Sequence, residues 1–336
     1  MHALERDSNW MVIAGASSLL GAELKSLLEE GRFAASDFRL VDEEIAAGTL
    51  TEAGGEPAVI QPVEEGSFER ARFVFFTGSA EFTRRNVAGV ARGGARVIDL
   101  AGGIAAEAET VAWFPKLDAL LGREFKKNAA AYAVPSAAAT AAAALALALS
   151  KSGLRKLEIV FFQPVSEAGR AGIEELETQT GQLLSFQGVG QPVFDAQVAF
   201  NMLDRFGPGS AQKLGTILER VRVETKACLG KRVAVPAIQL VHAPVFYGTA
   251  FGAWAELDSN ANTEQISNAC REAGFAMSDG SEAAPSNVSA AGEKSIQLTK
   301  PEEDASHAGT WWFWGAADNI RLPAANAVKL AEMLAS

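Results

Sequence analysis

The first half of the chain alternates short apolar runs, rich in β-branched and aromatic residues, with amphipathic stretches. Trp10-Met11-Val12-Ile13-Ala14, Phe38-Arg39-Leu40-Val41, Phe73-Val74-Phe75-Phe76 and Arg96-Val97-Ile98-Asp99-Leu100 each predict a buried strand. Buried strands separated by helical stretches predict a parallel sheet with crossover helices. Beyond an alanine-rich apolar run, Ala137 to Leu149, the spacing changes. Leu157 to Gln163, Val233 to Val241, Ala250 to Leu257 and Trp311 to Gly315 predict strands; Gly169 to Leu184 and Glu219 to Leu229 predict helices. That half reads as α+β with a more antiparallel sheet. Pro323 to Leu334 combines a proline at a helix start with apolar periodicity, predicting a docked C-terminal helix. Gly188 to Pro192 and Ser278 to Lys294 read as loops.

A length of 336 residues suits two domains of about 150 residues each. Acidic side chains outnumber basic ones, 41 to 30, for a formal net charge of −11, and no Lys/Arg cluster offers a footprint for a phosphate backbone. Nucleic acid is therefore not an expected partner. Cys228 and Cys270 are too few for a disulfide framework, which points to a reducing compartment, the cytosol. The start carries Glu5, Arg6 and Asp7 and lacks the basic region and cleavage site of a signal peptide. The Ala137–Leu149 run, interrupted by Thr140, falls short of the roughly 20 residues that span a bilayer. It predicts a buried helix, and no membrane association is expected.

After the first strand comes Gly15-Ala16-Ser17-Ser18-Leu19-Leu20-Gly21, followed by an amphipathic helix. A dinucleotide-binding turn needs glycines where the chain tightens and where backbone approaches pyrophosphate, with a helix N-terminus supplying amides. Ser18 replaces the middle glycine of that fingerprint; its hydroxyl could donate to a phosphate. An ordinary strand-to-helix turn is the competing reading. Asp42, Glu43 and Glu44 end the second strand. An acid there accepts from a ribose 2′-hydroxyl and repels a 2′-phosphate, by about 3 kcal/mol for unit charges about 5 Å apart at a dielectric near 20. NAD is the expected cofactor and NADP the less favoured one.

Several segments in order resemble the aspartate-semialdehyde dehydrogenase family. They are the Gly15–Gly21 turn, Thr77-Gly78-Ser79 after the third run, and Val97-Ile98-Asp99. Phe162-Gln163-Pro164-Val165-Ser166 follows, with Gly169, Gly172, Glu175, Leu176 and Gln179. Gln197 to Asn201, Glu224-Thr225-Lys226, Ala243-Pro244-Val245-Phe246 with Gly248, Asp318 to Arg321 and Asn326-Ala327-Val328 continue the series. The resemblance implies an α/β fold: a Rossmann-type dinucleotide domain over 8–133 plus 318–336, and an α+β catalytic and dimerisation domain over 134–317 with a mixed, largely antiparallel sheet. It implies Gly15, Ser17, Ser18, Leu19, Leu20, Asp42, Thr77, Gly78 and Asn326 as cofactor contacts, and a homodimer.

The family reaction, reductive dephosphorylation of an aspartyl phosphate in amino-acid biosynthesis, needs a thiolate, a proton-carrying histidine and an arginine clamp for the substrate carboxylate. By the same resemblance the nucleophile position is Ala137, the proton carrier Thr249 and the clamp His242; of the central constellation Gln163 survives. The family's arginine-bearing loop for the NADP 2′-phosphate corresponds to Glu43-Glu44-Ile45-Ala46. In having Val-Ile-Asp-Leu and a replaced cysteine the chain looks most like the family's USG branch.

Cys228 and Cys270, the latter in a helix expected near Ile266 to Phe275, read as small buried hydrophobes. Ser136 and Thr140 lack a positioned base. Of the three histidines, His2, His242 and His307, only His242 falls in the predicted cleft, as an anion ligand or, preferably, a packed imidazole; no metal site is expected. In Trp311-Trp312-Phe313-Trp314 the alternation favours burial between layers or at a dimer interface over ligand stacking. Two functions compete: a catalytically degenerate family member with a small metabolite or protein partner, and an active NAD(P)-dependent oxidoreductase of altered chemistry.

Overall fold

The computed structural model describes residues 10–46, 48–53, 56–258, 260–278 and 283–336; His2 lies outside them. Two units result. One holds the chain through Trp113, Lys126–Val134 and Ala324–Ser336, and the other holds Phe114–Phe125 and Pro135–Pro323.

The first unit runs β1 (Trp10–Ala14), α1 (Leu19–Glu30), β2 (Asp37–Asp42), a ribbon of β3 (Leu50–Ala53) and β4 (Glu56–Val59), β5 (Gln61–Pro62), β6 (Ala71–Phe76), α2 (Ala80–Gly93), β7 (Arg96–Asp99), β8 (Thr110–Ala112) and β9 (Ala131–Ala133). Its main sheet is seven-stranded, β5-β2-β1-β6-β7-β9-β8, and every pairing is parallel. The uninterrupted apolar runs have the reason expected of parallel strands, since both faces are covered. Val12, Val74, Phe76 and Val97 pack with Phe82 and Val90 of α2. Alternate residues Met11, Ile13, Phe73 and Phe75 are equally buried, and Phe33 lies edge-on to Phe73. The C-terminal helix, Arg321–Ala335, ends on arginines of this unit: Arg96 donates to the Leu334 carbonyl and Arg72 to that of Ala335. Cations there satisfy the carbonyls a helix end leaves unpaired. The helix starts two residues before Pro323, because a proline in the first turn needs no intrahelical N–H partner.

The second unit runs α3 (Leu117–Leu121), α4 (Ala137–Ser150), β10 (Lys156–Gln163), α5 (Gly169–Leu184), α6 (Leu214–Leu229), β11 (Ala237–His242), β12 (Thr249–Glu256), α7 (Thr263–Glu272), β13 (Phe275–Met277), α8 (Asn287–Ala290), β14 (Ile296–Leu298), β15 (Glu302–Glu303) and β16 (Thr310–Ala317). The sheet order is β11-β10-β12-β16-β14-β13, with β15 against β16. It is mixed: β10–β11 and β13–β14 are parallel, whereas β12 is antiparallel to β10 and to β16. Ala137 through Leu149 in α4 are all buried, and among the described residues no helix is long and apolar enough to cross a membrane.

Several elements differ from expectation. β11 starts at Ala237, not Val233, because Pro236 has no N–H for a ladder. α6 begins at Leu214, without a capping side chain and with Gly215 in its first turn, so its start carries no sequence signal. α7 ends at Glu272, and Gly274 at φ +100° turns the chain so that Phe275 opens β13. The expected loop from Ser278 contains α8, capped by Ser286 with reciprocal bonds to Ser289. In β16, Trp311 and Phe313 are buried, whereas Trp312 and Trp314 are 49% and 38% exposed on the opposite face of the sheet.

A polar clamp fastens the segment after α5. Fully buried Gln179 donates to the carbonyls of Gly190 and Ala196 and to Glu175, and its Oε1 accepts from the amides of Val198 and Ala199. Glu175 accepts from the Val193 and Phe194 amides. Replacing Gln179 with Leu leaves the buried Val198 and Ala199 amides without their acceptor and takes one donor from Glu175, so the unfolding free energy should drop by about 3 kcal/mol, read as a lower urea midpoint at unchanged slope.

Candidate functional site

The turn after β1 and the turn after β6 lie against each other. Gly15 has φ +95°, and a Cβ on it would stand 2.2 Å from the Gly78 amide nitrogen; one on Gly21 would stand 2.6 Å from the Gly15 carbonyl oxygen. Both glycines therefore serve the close approach of backbone to backbone. The buried Thr77 hydroxyl donates to the Gly15 carbonyl at 3.0 Å. Ser18 caps α1: its Oγ accepts from the Gly21 amide at 2.9 Å and donates to the Thr77 carbonyl at 2.9 Å. The expectation that this hydroxyl is available to a phosphate is thus corrected, since its proton is already directed at backbone. The Leu19 and Leu20 amides head the helix, where the first N–H groups have no intrahelical partner.

Asp42, 6% exposed, is pinned at both oxygens, Oδ2 by the Ser17 amide and Oδ1 by the Glu43 amide, each at 2.8 Å. Each oxygen keeps acceptor capacity for a hydroxyl. Glu43 does not stand as an unopposed charge: Arg85 of α2 donates to it at 2.5 Å. The distance in sequence between the two conceals that pairing, and it corrects the picture of an uncompensated acidic strand end. Asn326 of the C-terminal helix is buried, and its Nδ2 has no hydrogen-bond partner among the described residues. A knitted glycine turn, helix-head amides, a pinned acceptor and an orphaned buried amide donor fit a nicotinamide dinucleotide, whose carboxamide carbonyl would satisfy Asn326.

In the second unit, Gln163 and His242 face each other as register partners of β10 and β11. Thr249 donates to Gln163 Oε1 at 3.5 Å. All three are buried. Gln163 and His242 border a cavity with Glu167, Phe194 and Phe206 that leaves about 10 Å³, room for about one water. His242 lies against the rings of Phe194 and Phe206 at 6.0 and 5.5 Å, its Nε2 3.4 Å from the Val198 carbonyl. It is a packed imidazole whose pKa burial pushes down, partly opposed by that carbonyl. Glu167 goes the other way: burial and, less strongly, Glu224 raise its pKa, against Arg220 and the Asn319 side chain. Asn319 donates to Glu167 and Ser166 and accepts from the Gly248 amide.

Ala137 opens α4, 2% exposed, with a methyl as its side chain. Ser136, the helix cap, is committed to buried Glu224: its amide donates at 2.9 Å and its hydroxyl at 2.6 Å to Oε2, while Arg220 holds Oε1 at 2.7 Å. Glu224 is the participant that residue-type reasoning did not single out; its motif is visible, but its link to Ser136 spans 88 residues. Thr140 returns its hydroxyl to the Ser136 carbonyl. Cys228 and Cys270 are buried free thiols; burial raises both, Cys270 to about 12, so neither supplies a thiolate. His307 pairs with Asp304 at the surface, and among the described residues no cluster of His, Cys, Asp or Glu could hold a metal ion.

The doubly wound parallel sheet of the first unit is an architecture that binds dinucleotides at the carboxyl ends of its strands. Residues 11–145 match the semialdehyde dehydrogenase NAD-binding domain and residues 145–322 the semialdehyde dehydrogenase dimerisation domain. The chain belongs to the semialdehyde dehydrogenase family. It is 27% identical over 241 residues to a USG-1 protein homolog of Pseudomonas aeruginosa, covering 71% of this chain and 70% of that one. It is 26% identical over 332 residues to aspartate-semialdehyde dehydrogenase 2 of Vibrio cholerae, covering 96% and 97%. The crystal structure of aspartate semialdehyde dehydrogenase II from Vibrio cholerae superposes with a TM-score of 0.84 at 25% identity over 97% of this chain and 98% of that one.

The depressed pKa of His242 sets a pH signature. The unfolded imidazole titrates near 6.5 and the buried one lower, so the stabilisation it confers is complete above pH 6.5 and is lost as pH falls towards the folded value. The difference in unfolding free energy between wild type and His242→Gln should shrink on acidification below pH 6.5, by at most about 1.4 kcal/mol per pH unit. A constant difference between pH 7 and 5 would contradict it.

Proposed function

We propose that the chain is a USG-like aspartate-semialdehyde-dehydrogenase homologue that keeps the dinucleotide unit and has given up acyl-transfer chemistry. Ala137 carries the reading: at the position that resembles the family's nucleophile the side chain is a methyl, which cannot form the thiohemiacetal from which hydride would leave. The surrounding groups supply no substitute. Ser136 directs its proton to Glu224, and a carboxylate is a weak base for a hydroxyl. Thr249, at the proton carrier's place, hydrogen-bonds Gln163. His242, at the clamp's place, lies packed between phenylalanines. Glu167 brings a carboxyl group next to Gln163, unfavourable for an anionic substrate.

A bound nicotinamide dinucleotide would supply hydride acceptance or donation. Gly15, Ser17 and Ser18 would shape the turn around it, Leu19 and Leu20 would offer amides to the pyrophosphate, Thr77 and Gly78 would hold the facing turn, Asp42 would accept from the ribose and the Asn326 amide would donate to the carboxamide. Asp42 favours NAD over NADP. The exposed Trp312, Trp314 and Val160 on the second unit's sheet, with Phe186 and Phe200 beyond α5, support a homodimer. A dimer that senses a dinucleotide or a small metabolite would act on a protein partner in the cytosol, where two unpaired thiols are in keeping with the redox state.

Purified protein given aspartate semialdehyde, phosphate and NAD or NADP should reduce no nucleotide above background; turnover that Gln163→Ala abolishes would restore the enzyme. Light scattering at micromolar concentration should give about twice the 35.3 kDa chain mass, and a monomer mass would refute the dimer.

A further inference from the structure

We propose that Glu43 and Arg85 form a latch that selects between dinucleotides: Glu43 occupies a guanidinium that, once released, becomes a partner for a 2′-phosphate. The inference rests on the reading of the first unit as a dinucleotide site. In a doubly wound sheet the ribose of the adenosine half meets the acidic residue at the carboxyl end of the second strand, here Asp42, whose oxygens the Ser17 and Glu43 amides fix in place. Glu43 is the next side chain along, so any group added at the ribose 2′ position enters its neighbourhood.

Arg85 reaches Glu43 from α2 at 2.5 Å, and the two side chains are 58% and 42% exposed. Exposed pairs of this kind are weakly held and free to exchange partners. A guanidinium can offer two parallel N–H groups to a phosphate, whereas Arg85 meets Glu43 through Nη2 on one carboxylate oxygen. Arg85 also has somewhere to go. The connection from β5 to β6 contains no helix, and the space beside α2 is a groove of about 520 Å³ bordered by Arg85 and Asn86. The other charged residues bordering it are Glu64, Glu65 and Glu69, so Arg85 is a cation set in an acidic wall. A 2′-phosphate approaching that wall meets repulsion unless the guanidinium is turned towards it. Glu43 therefore acts twice against NADP: its own charge repels, and it keeps the neutralising cation occupied.

Calorimetric titration of the full chain with NAD and with NADP tests the latch in wild type, Glu43→Gln, Arg85→Ala and the double variant. Glu43→Gln should tighten NADP about tenfold, the order expected of one charge-assisted bidentate contact, and leave NAD within about twofold. Adding Arg85→Ala to Glu43→Gln should abolish that gain, while Arg85→Ala alone should weaken NADP further by leaving Glu43 unopposed. A gain that survives in the double variant would reduce the effect to charge removal and overturn the role of Arg85, as would NADP affinity unchanged in Glu43→Gln while NAD still binds. Binding of neither dinucleotide to any of the four proteins would overturn the dinucleotide reading itself, and the latch with it.

Discussion

Two turns that touch backbone to backbone set the geometry of the first unit. The approach of Gly15 to Gly78 leaves no room for a Cβ, and hydrogen bonds from Thr77 and Ser18 stitch the turns together. Because β1 and β6 are the central pair of a parallel sheet, joining their carboxyl ends fixes where α1 begins. The direction of the helix-head amides follows from that start, and so does the position of Ser17, whose amide then locks Asp42. A ligand cradle of this sort is built almost wholly from main chain, which is why it tolerates a serine in place of a glycine: the hydroxyl is absorbed as a cap.

Three carboxylates organise the second unit, buried Glu175 and Glu224 and half-buried Glu167. Glu175 receives amides of the segment after α5, Glu224 ties the head of α4 to α6, and Glu167 is fastened by Asn319. Burying an acid is costly unless its oxygens are matched, so such groups hold a particular arrangement of loops. Beside Gln163, Glu167 borders a cavity of about 10 Å³.

The uninterrupted apolar runs of β1, β6 and β7 made the parallel sheet legible, because burial on both faces leaves that trace. α5 was legible to its last residue, and the order of weak motifs from Gly15 to Asn326 carried the family. Less legible were pieces held by partners remote in sequence. β8 and β9 have too few residues for a period, and α6 lacks a capping residue at its start. The alternation of Trp311 to Trp314 is readable, but which pair faces inward depends on helices elsewhere in the unit. The pairing of Glu43 with Arg85 and the locking of Ser136 by Glu224 join residues distant along the chain, and residue type alone does not announce them.

The helix that opens at Ala137 consists largely of side chains one carbon long, buried along nearly its whole length. Position 137 is 2% exposed, so a heavier side chain there has to find room among buried neighbours, and where they do not move overpacking costs about 1 to 3 kcal/mol. An alanine there is consequently easy to keep and hard to leave. A return to a reactive side chain at the head of this helix would therefore ask buried neighbours to give way.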